Sequence, residues 1–180
     1  MLAGRPSAAK QSVDSLLWLM TPTPAEGTLP GPATSYMSVD PWFVDTNILV
    51  YAYDDDSPRK RAMARQLLLE KAEQIVLSTQ VLGEFYVTVT RKLARPLDAL
   101  RAVEAVDALC TFTVRPLGAE LVRSAVRRSR SAPLSYWDAL IVESAIDAGA
   151  TVLLTEDLQH GQTFGHLRVV NPFRDDARPQ

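Results

Sequence analysis

From Trp42 onward the chain repeats one pattern: a three- or four-residue apolar run, then a longer stretch whose apolar residues recur with helical spacing. Apolar runs this short, separated by helices, read as strands buried on both faces of a parallel sheet. Such strands are expected at Trp42–Val44, Ile75–Leu77, Phe112–Val114, Val152–Leu154 and Arg168–Val170. Ser57 before Pro58 is a cap followed by proline in the first turn, which starts a helix running to about Ala72. Further helices are expected over roughly Thr79–Leu93, from Pro96 and Asp98 onward, from Gly118 to Arg130, and over Ser135–Ala148, closed by Gly149. In the helix from Pro96 and Asp98, Leu97, Leu100, Val103, Val106 and Leu109 are spaced for one face. In the helix from Gly118 to Arg130, Leu121, Val122, Ala125 and Val126 are expected inward and the arginines outward. The fold class is therefore α/β, a three-layer α/β/α sandwich around a central, mainly parallel sheet of about five strands.

Residues 1–36 differ in kind. They hold five of the twelve prolines, and Thr21–Ser35 is rich in turn formers, so they read as a flexible or extended leader. Within them Val13–Met20 is a short amphipathic piece, and Met37 is an alternative natural start. Residues 37–180 then form the folded domain, ending in a polar tail from Arg174. No apolar run approaches the roughly 20 residues that span a bilayer. One cysteine, Cys110, excludes an internal disulfide and a cysteine-based zinc cage; a reducing cytoplasm fits, and the residue is expected in the core. The net charge of −2 gives no support to a basic nucleic-acid-binding surface. Any such function has to rest on local clusters and on a metal offsetting acidic residues.

Four acids fall where ligands of an α/β sandwich bind, beyond the carboxyl ends of the strands. Asp45 follows the first strand and Asp157 the fourth; Glu84 and Asp138 lie in the first turns of helices that start at the same rim. Carboxylates sharing a rim repel, and the usual compensations are raised pKa values or a bound cation. Hard oxygen ligands without cysteine select Mg²⁺ or Mn²⁺, and a cation of that kind suits phosphodiester hydrolysis. Each acid also has a structural alternative. Ser135 to Asp138 fits a capping box, Glu84 fits an exposed helical position, and Asp157 fits a turn cap. Asp45 is the hardest to explain this way, because a carboxylate after a buried strand is costly without a partner.

Phe43-Val44-Asp45-Thr46-Asn47-Ile48-Leu49-Val50-Tyr51 resembles the opening strand of PIN domains. Ser78–Phe85, Ser135–Ile141, Leu154–Gly161 and the ending Val169-Val170-Asn171-Pro172-Phe173 resemble the same family in order, over about Val39–Phe173. The set is most similar to the VapC-type toxins of bacterial toxin–antitoxin pairs. The resemblance implies Mg²⁺- or Mn²⁺-dependent cleavage of RNA, homodimers, and inhibition by a small antitoxin whose tail crosses the active-site groove. It assigns the acidic catalytic positions to Asp45, Glu84, Asp138 and Asp157, with Asp45, Asp138 and Asp157 toward the metal. Asn47 and Thr155 take the polar positions that orient acids or metal waters, and Glu156 is an alternative ligand to Asp157. Residues 1–36 inherit nothing from it.

Two other functions compete. An aspartate-nucleophile phosphatase of the haloacid-dehalogenase kind carries a second Asp two positions on, where this chain has Asn47. A catalytically silent PIN-like module that binds RNA or protein would not need all four acids. His160 and His166 read as loop residues, and Asp54-Asp55-Asp56, which resembles a metal-binding run, reads as charge complementing a helix start. The cationic clusters Arg59–Arg65 and Arg123–Arg130 fit phosphate contacts, ion pairs or a solvated face. Tyr136 and Trp137 fit base stacking, although Trp137 is expected to be packed. The leader also admits a role as an internal inhibitor covering the site.

Overall fold

The structure, a computed structural model, describes residues 40–174; the leader, with Val13–Met20, and the tail beyond Arg174 lie outside the described residues. The chain runs β1 (Trp42–Val44), α1 (Thr46–Tyr51), α2 (Pro58–Glu70), β2 (Ile75–Ser78), α3 (Thr79–Arg91), α4 (Ala99–Leu109), β3 (Thr113–Arg115), α5 (Ala119–Ser131), α6 (Tyr136–Asp147), β4 (Val152–Leu154), β5 (Thr163–Phe164) and β6 (Leu167–Val170). The strand order is β3-β2-β1-β4-β6-β5. Every pairing is parallel except β5 with β6. This is the expected α/β/α sandwich, with six strands rather than about five among the described residues. The extra strand is a two-residue edge, folded back on β6 through Gly165, whose φ of 64° a side chain would oppose.

The order of strands reverses between β1 and β4, which lie side by side with Val44 opposite Leu154. Phe43, Val44, Leu153 and Leu154 are buried there, and the core extends through Leu77, Phe85, Val89 and Leu109. A smaller cluster of Ala125, Ala139 and Leu140 joins α5 to α6.

Several expectations are corrected. The opening strand ends at Val44 as expected, but a helix that was not expected, α1, follows at once, with Asp45 as its N-cap. Ile48 and Val50 favour strands by propensity, but the helix buries both together with Leu49, and burial outweighs a weak local preference. In α4 the buried face is Ala102, Ala105, Ala108 and Leu109, leaving Leu100 and Val103 exposed. The small alanines let α4 sit close to α3. In α5, Ala125 is buried and Val122 and Val126 are exposed, while Arg128 is half-buried against Glu143 at 2.6 Å. Cys110 is not core: it is the exposed C-cap of α4, where the chain turns away from the apolar face. Trp137 is 60% exposed rather than packed. Among the described residues no helix is long and apolar enough to cross a membrane.

Candidate active site

Because β1 and β4 are neighbours, the residues that follow them emerge together. The Asp45 N–H donates to the Leu154 carbonyl at 3.0 Å, and the Thr155 N–H to Val170 at 3.1 Å. Asp45 and Thr155 thus leave the sheet buried and adjacent. The Thr155 hydroxyl donates to Asp45 Oδ2 at 2.6 Å and accepts from the Asp157 N–H at 3.1 Å. The Asn47 amide nitrogen lies 3.1 Å from Asp45 Oδ2, 3.1 Å from Thr155 Oγ1 and 2.9 Å from Asp157 Oδ2. One carboxamide, with two hydrogens for three acceptors, ties the two acids together.

Asp45 is better partnered than its sequence context suggests, since its Oδ1 also accepts from the Thr46 N–H at 2.6 Å. Burial still dominates. It lifts the Asp45 carboxyl from 3.8 to about 6; the bonds from Thr155 and Thr46 oppose the rise, and the nearby charges of Asp157 and Glu84 add to it.

Glu84 comes from α3 and is held from two sides. Thr46 Oγ1 donates to Oε2 at 3.1 Å, and Gln80 Nε2, one helical turn earlier, to Oε1 at 2.9 Å. Sequence reasoning missed both orienting residues; the i, i+4 spacing of Gln80 and Glu84 was the available signal. Asp138 does serve as a cap partner: Ser135 Oγ accepts from its N–H at 3.1 Å and donates to its Oδ2 at 2.8 Å. The structure places Asp45, Glu84, Asp138 and Asp157 on the wall of one cavity of about 730 Å³, with Asn47 and with Asp54, which the sequence reading assigns to the helix start instead. Among the described residues, no hydrogen bond ties Asp138 to the network of the other three.

Other candidates are committed elsewhere. The Glu156 carboxylate takes Lys60 Nζ and the Tyr51 hydroxyl, each at 2.5 Å, so it is not free to replace Asp157. Asp55 pairs with Arg61 and Asp56 with Arg95. Arg65 donates to the Ala52 carbonyl and Arg123 pairs with Glu120, so much of both cationic clusters is bonded within the protein. His160 Nδ1 accepts from the Asn171 N–H at 3.1 Å, a structural role, and His166 is exposed.

The donors that could meet a cation are all oxygens. Asp45 bears a desolvation cost that a cation would relieve, and Asn47 Oδ1 is buried without a partner among the described residues. No three His, Cys, Asp or Glu side chains among the described residues close into a ready-made metal cage. Mg²⁺ commonly reaches protein through one or two carboxylates and keeps several waters, so an open acidic wall suits it better than a cage.

A model of the PIN domain family matches residues 42–163. Among solved structures, the chain is similar to VapC20 of Mycobacterium tuberculosis, a sarcin–ricin-loop-cleaving toxin. That match has 21% identity, covers 62% of this chain and 86% of that one, and has a TM-score of 0.51. It is also similar to a toxin–antitoxin complex from Klebsiella pneumoniae, at 22% identity over 73% of this chain and 97% of that one, with a TM-score of 0.55. VapBC2 from Rickettsia felis, bound to a DNA fragment from its promoter, gives 19% identity, 71% and 96% coverage, and a TM-score of 0.51. At such identities these likenesses speak to fold. No curated protein sequence matches. With the family model spanning more than half of its residues, the chain belongs to the PIN domain family.

Proposed function

We propose that this chain is a Mg²⁺- or Mn²⁺-dependent endoribonuclease, the toxin of a toxin–antitoxin pair, with residues 37–180 as its nuclease domain. The observation that carries the reading is the meeting of Asp45, Glu84, Asp138 and Asp157, with Asp54 as a fifth carboxylate, on one cavity wall, where the most buried of them, Asp45, is raised to about 6. Family membership supports nuclease chemistry, and the similar structures are a toxin and two toxin–antitoxin assemblies. An RNA substrate, a cognate antitoxin and a homodimeric, cytoplasmic state belong to the same proposal.

Asp45, Asp138 and Asp157 would hold the cation, with Glu84 completing the acidic set. A divalent ion there supplies activation of water and neutralises charge developing on the phosphate. The chain's own groups set the stage for this. The Thr155 hydroxyl and the Thr46 N–H fix the Asp45 carboxylate, so that its oxygens do not reorient during reaction. Asn47 holds Asp157 in register with Asp45, and Thr46 and Gln80 hold Glu84. Ser135 fixes the rotamer of Asp138.

Cleavage of a mixed RNA pool with Mg²⁺ or Mn²⁺ titrated from a chelated start tests the proposal. Wild type should cleave only with metal, and Asp45→Asn should fall to background. Absence of metal-dependent cleavage by wild type, or undiminished cleavage by the variant, would overturn it.

A further inference from the structure

The cavity wall combines groups of unlike chemistry: besides the acids it includes Val87, Lys92, Leu93 and Trp137. Val87 is 41% exposed and Trp137 60%, although an indole is the largest apolar side chain and burying it would be favourable. Trp137 immediately precedes Asp138 in the first turn of α6, so the ring and one acid of the site are carried by the same rigid turn. Its orientation is supported from one side: the Tyr136 ring meets it edge-on, with centroids 5.1 Å apart and planes at 67°. Tyr136 itself is packed against the Ala125–Ala139–Leu140 cluster. An exposed indole braced by an anchored tyrosine is a preformed surface. Lys92, the C-cap of α3, is the one cationic residue among the described residues of the cavity wall and makes no ion pair among them.

A flat aromatic face, a lysine and the acids proposed to hold a cation line one cavity and match the parts of a single-stranded nucleotide. The base offers a π-face, and its flanking phosphate offers charge for the lysine. We infer that Trp137 is the platform on which an unpaired nucleobase stacks beside the cleaved bond, with Lys92 on an adjacent phosphate. This rests on the nuclease reading for its substrate, and it adds the subsite that admits unpaired rather than duplex RNA, since a base must be unstacked to use the platform. Stacking of this kind accepts any base but favours the larger purine face.

The test uses the full chain carrying Asp45→Asn, so that RNA is bound without being cut, with fluorescently labelled single-stranded oligoadenylate and oligouridylate in a metal chelator. The platform variant is Trp137→Leu, which keeps an apolar side chain at an exposed position and should leave the melting temperature unchanged. Expected is a loss of affinity for oligoadenylate of about five- to a hundredfold. The preference for oligoadenylate over oligouridylate should vanish, and Trp137→Phe should restore part of both. With Asp45 restored, Trp137→Leu should raise KM for RNA more than it lowers kcat. Lys92→Gln should weaken both oligonucleotides alike and flatten the salt dependence. Unchanged oligoadenylate affinity in Trp137→Leu, or a base preference that survives it, would overturn the inference. So would unchanged RNA binding together with altered self-association in sedimentation, which would assign the ring to a contact between copies of the chain. If wild type cuts no RNA yet stacking on Trp137 is measured, the nuclease reading falls and the platform stands.

Discussion

Replacing Asp45 by asparagine should separate what the buried acid costs the fold from what it does for the reaction. Its carboxyl stands at about 6 in the folded protein against 3.8 for the free group. A carboxyl raised on folding contributes stability below the lower value and loses it as pH climbs through the upper one. At about 1.4 kcal/mol per pKa unit, the gap corresponds to roughly 3 kcal/mol lost between strongly acid and neutral pH. From pH 8 down to pH 5, about 1.4 kcal/mol of that is recovered. Asparagine does not titrate there, but it has a separate penalty. Either orientation of its amide sets the NH2 group against a donor, Asn47 Nδ2 and the Thr155 hydroxyl on one side or the Thr46 N–H on the other. A mispaired buried group costs about 1–3 kcal/mol, so the two variants are close in stability at pH 8. That penalty does not change with pH, and the slope is therefore the decisive quantity. Urea unfolding of wild type and Asp45→Asn, in chelator at pH 8, 7, 6 and 5, should show the wild type gaining about 1.4 kcal/mol on the variant across the series. A difference that stays flat, or that moves in the variant's favour on acidification, would refute the claim that burial dominates Asp45.

Three further outcomes follow from the same geometry. Asn47→Ala removes the bridge between Asp45 and Asp157 and should weaken metal affinity or activity by about 10- to 100-fold, read from Mn²⁺ titrations. Glu156→Gln should retain metal-dependent cleavage while Asp157→Asn loses it, because Glu156 is held by Lys60 and Tyr51; equal losses in the RNA assay would restore Glu156 as a ligand. Ser135→Ala should cost about 1 kcal/mol in urea unfolding through the lost cap of α6. It should also lower activity more than that change explains, since Asp138 loses its rotamer partner.

Much of this molecule was legible without coordinates, and the reason is periodicity. Trp42–Val44 and Val152–Leu154 are strands as expected, because short apolar runs between helices have little alternative to a buried sheet. The helix start at Tyr136 could be read from the Ser135 cap and that at Pro58 from proline in the first turn, although Ser57, expected as a cap, makes no side-chain capping bond there; such signals need no knowledge of the rest of the chain. The order of the four acids along the chain, and their places at strand and helix ends, were equally visible. What the sequence could not decide was every question of which face meets what. The strand order that brings Asp45 beside Thr155 depends on crossovers. Which apolar residues face outward, as Trp137, Leu100 and Val122 do, depends on how each helix packs against its neighbours. The bond from Thr46 to Glu84 and the capture of Glu156 by Lys60 join residues far apart in the chain, so no local pattern announces them, whereas the Gln80–Glu84 bond has a local i, i+4 signal. Asp45 combines the two levels. Its place after a buried strand marked it from the sequence, but only the packed environment of Thr155, Asn47, Glu84 and Asp157 sets its acidity, because desolvation and neighbouring charge belong to the folded protein alone.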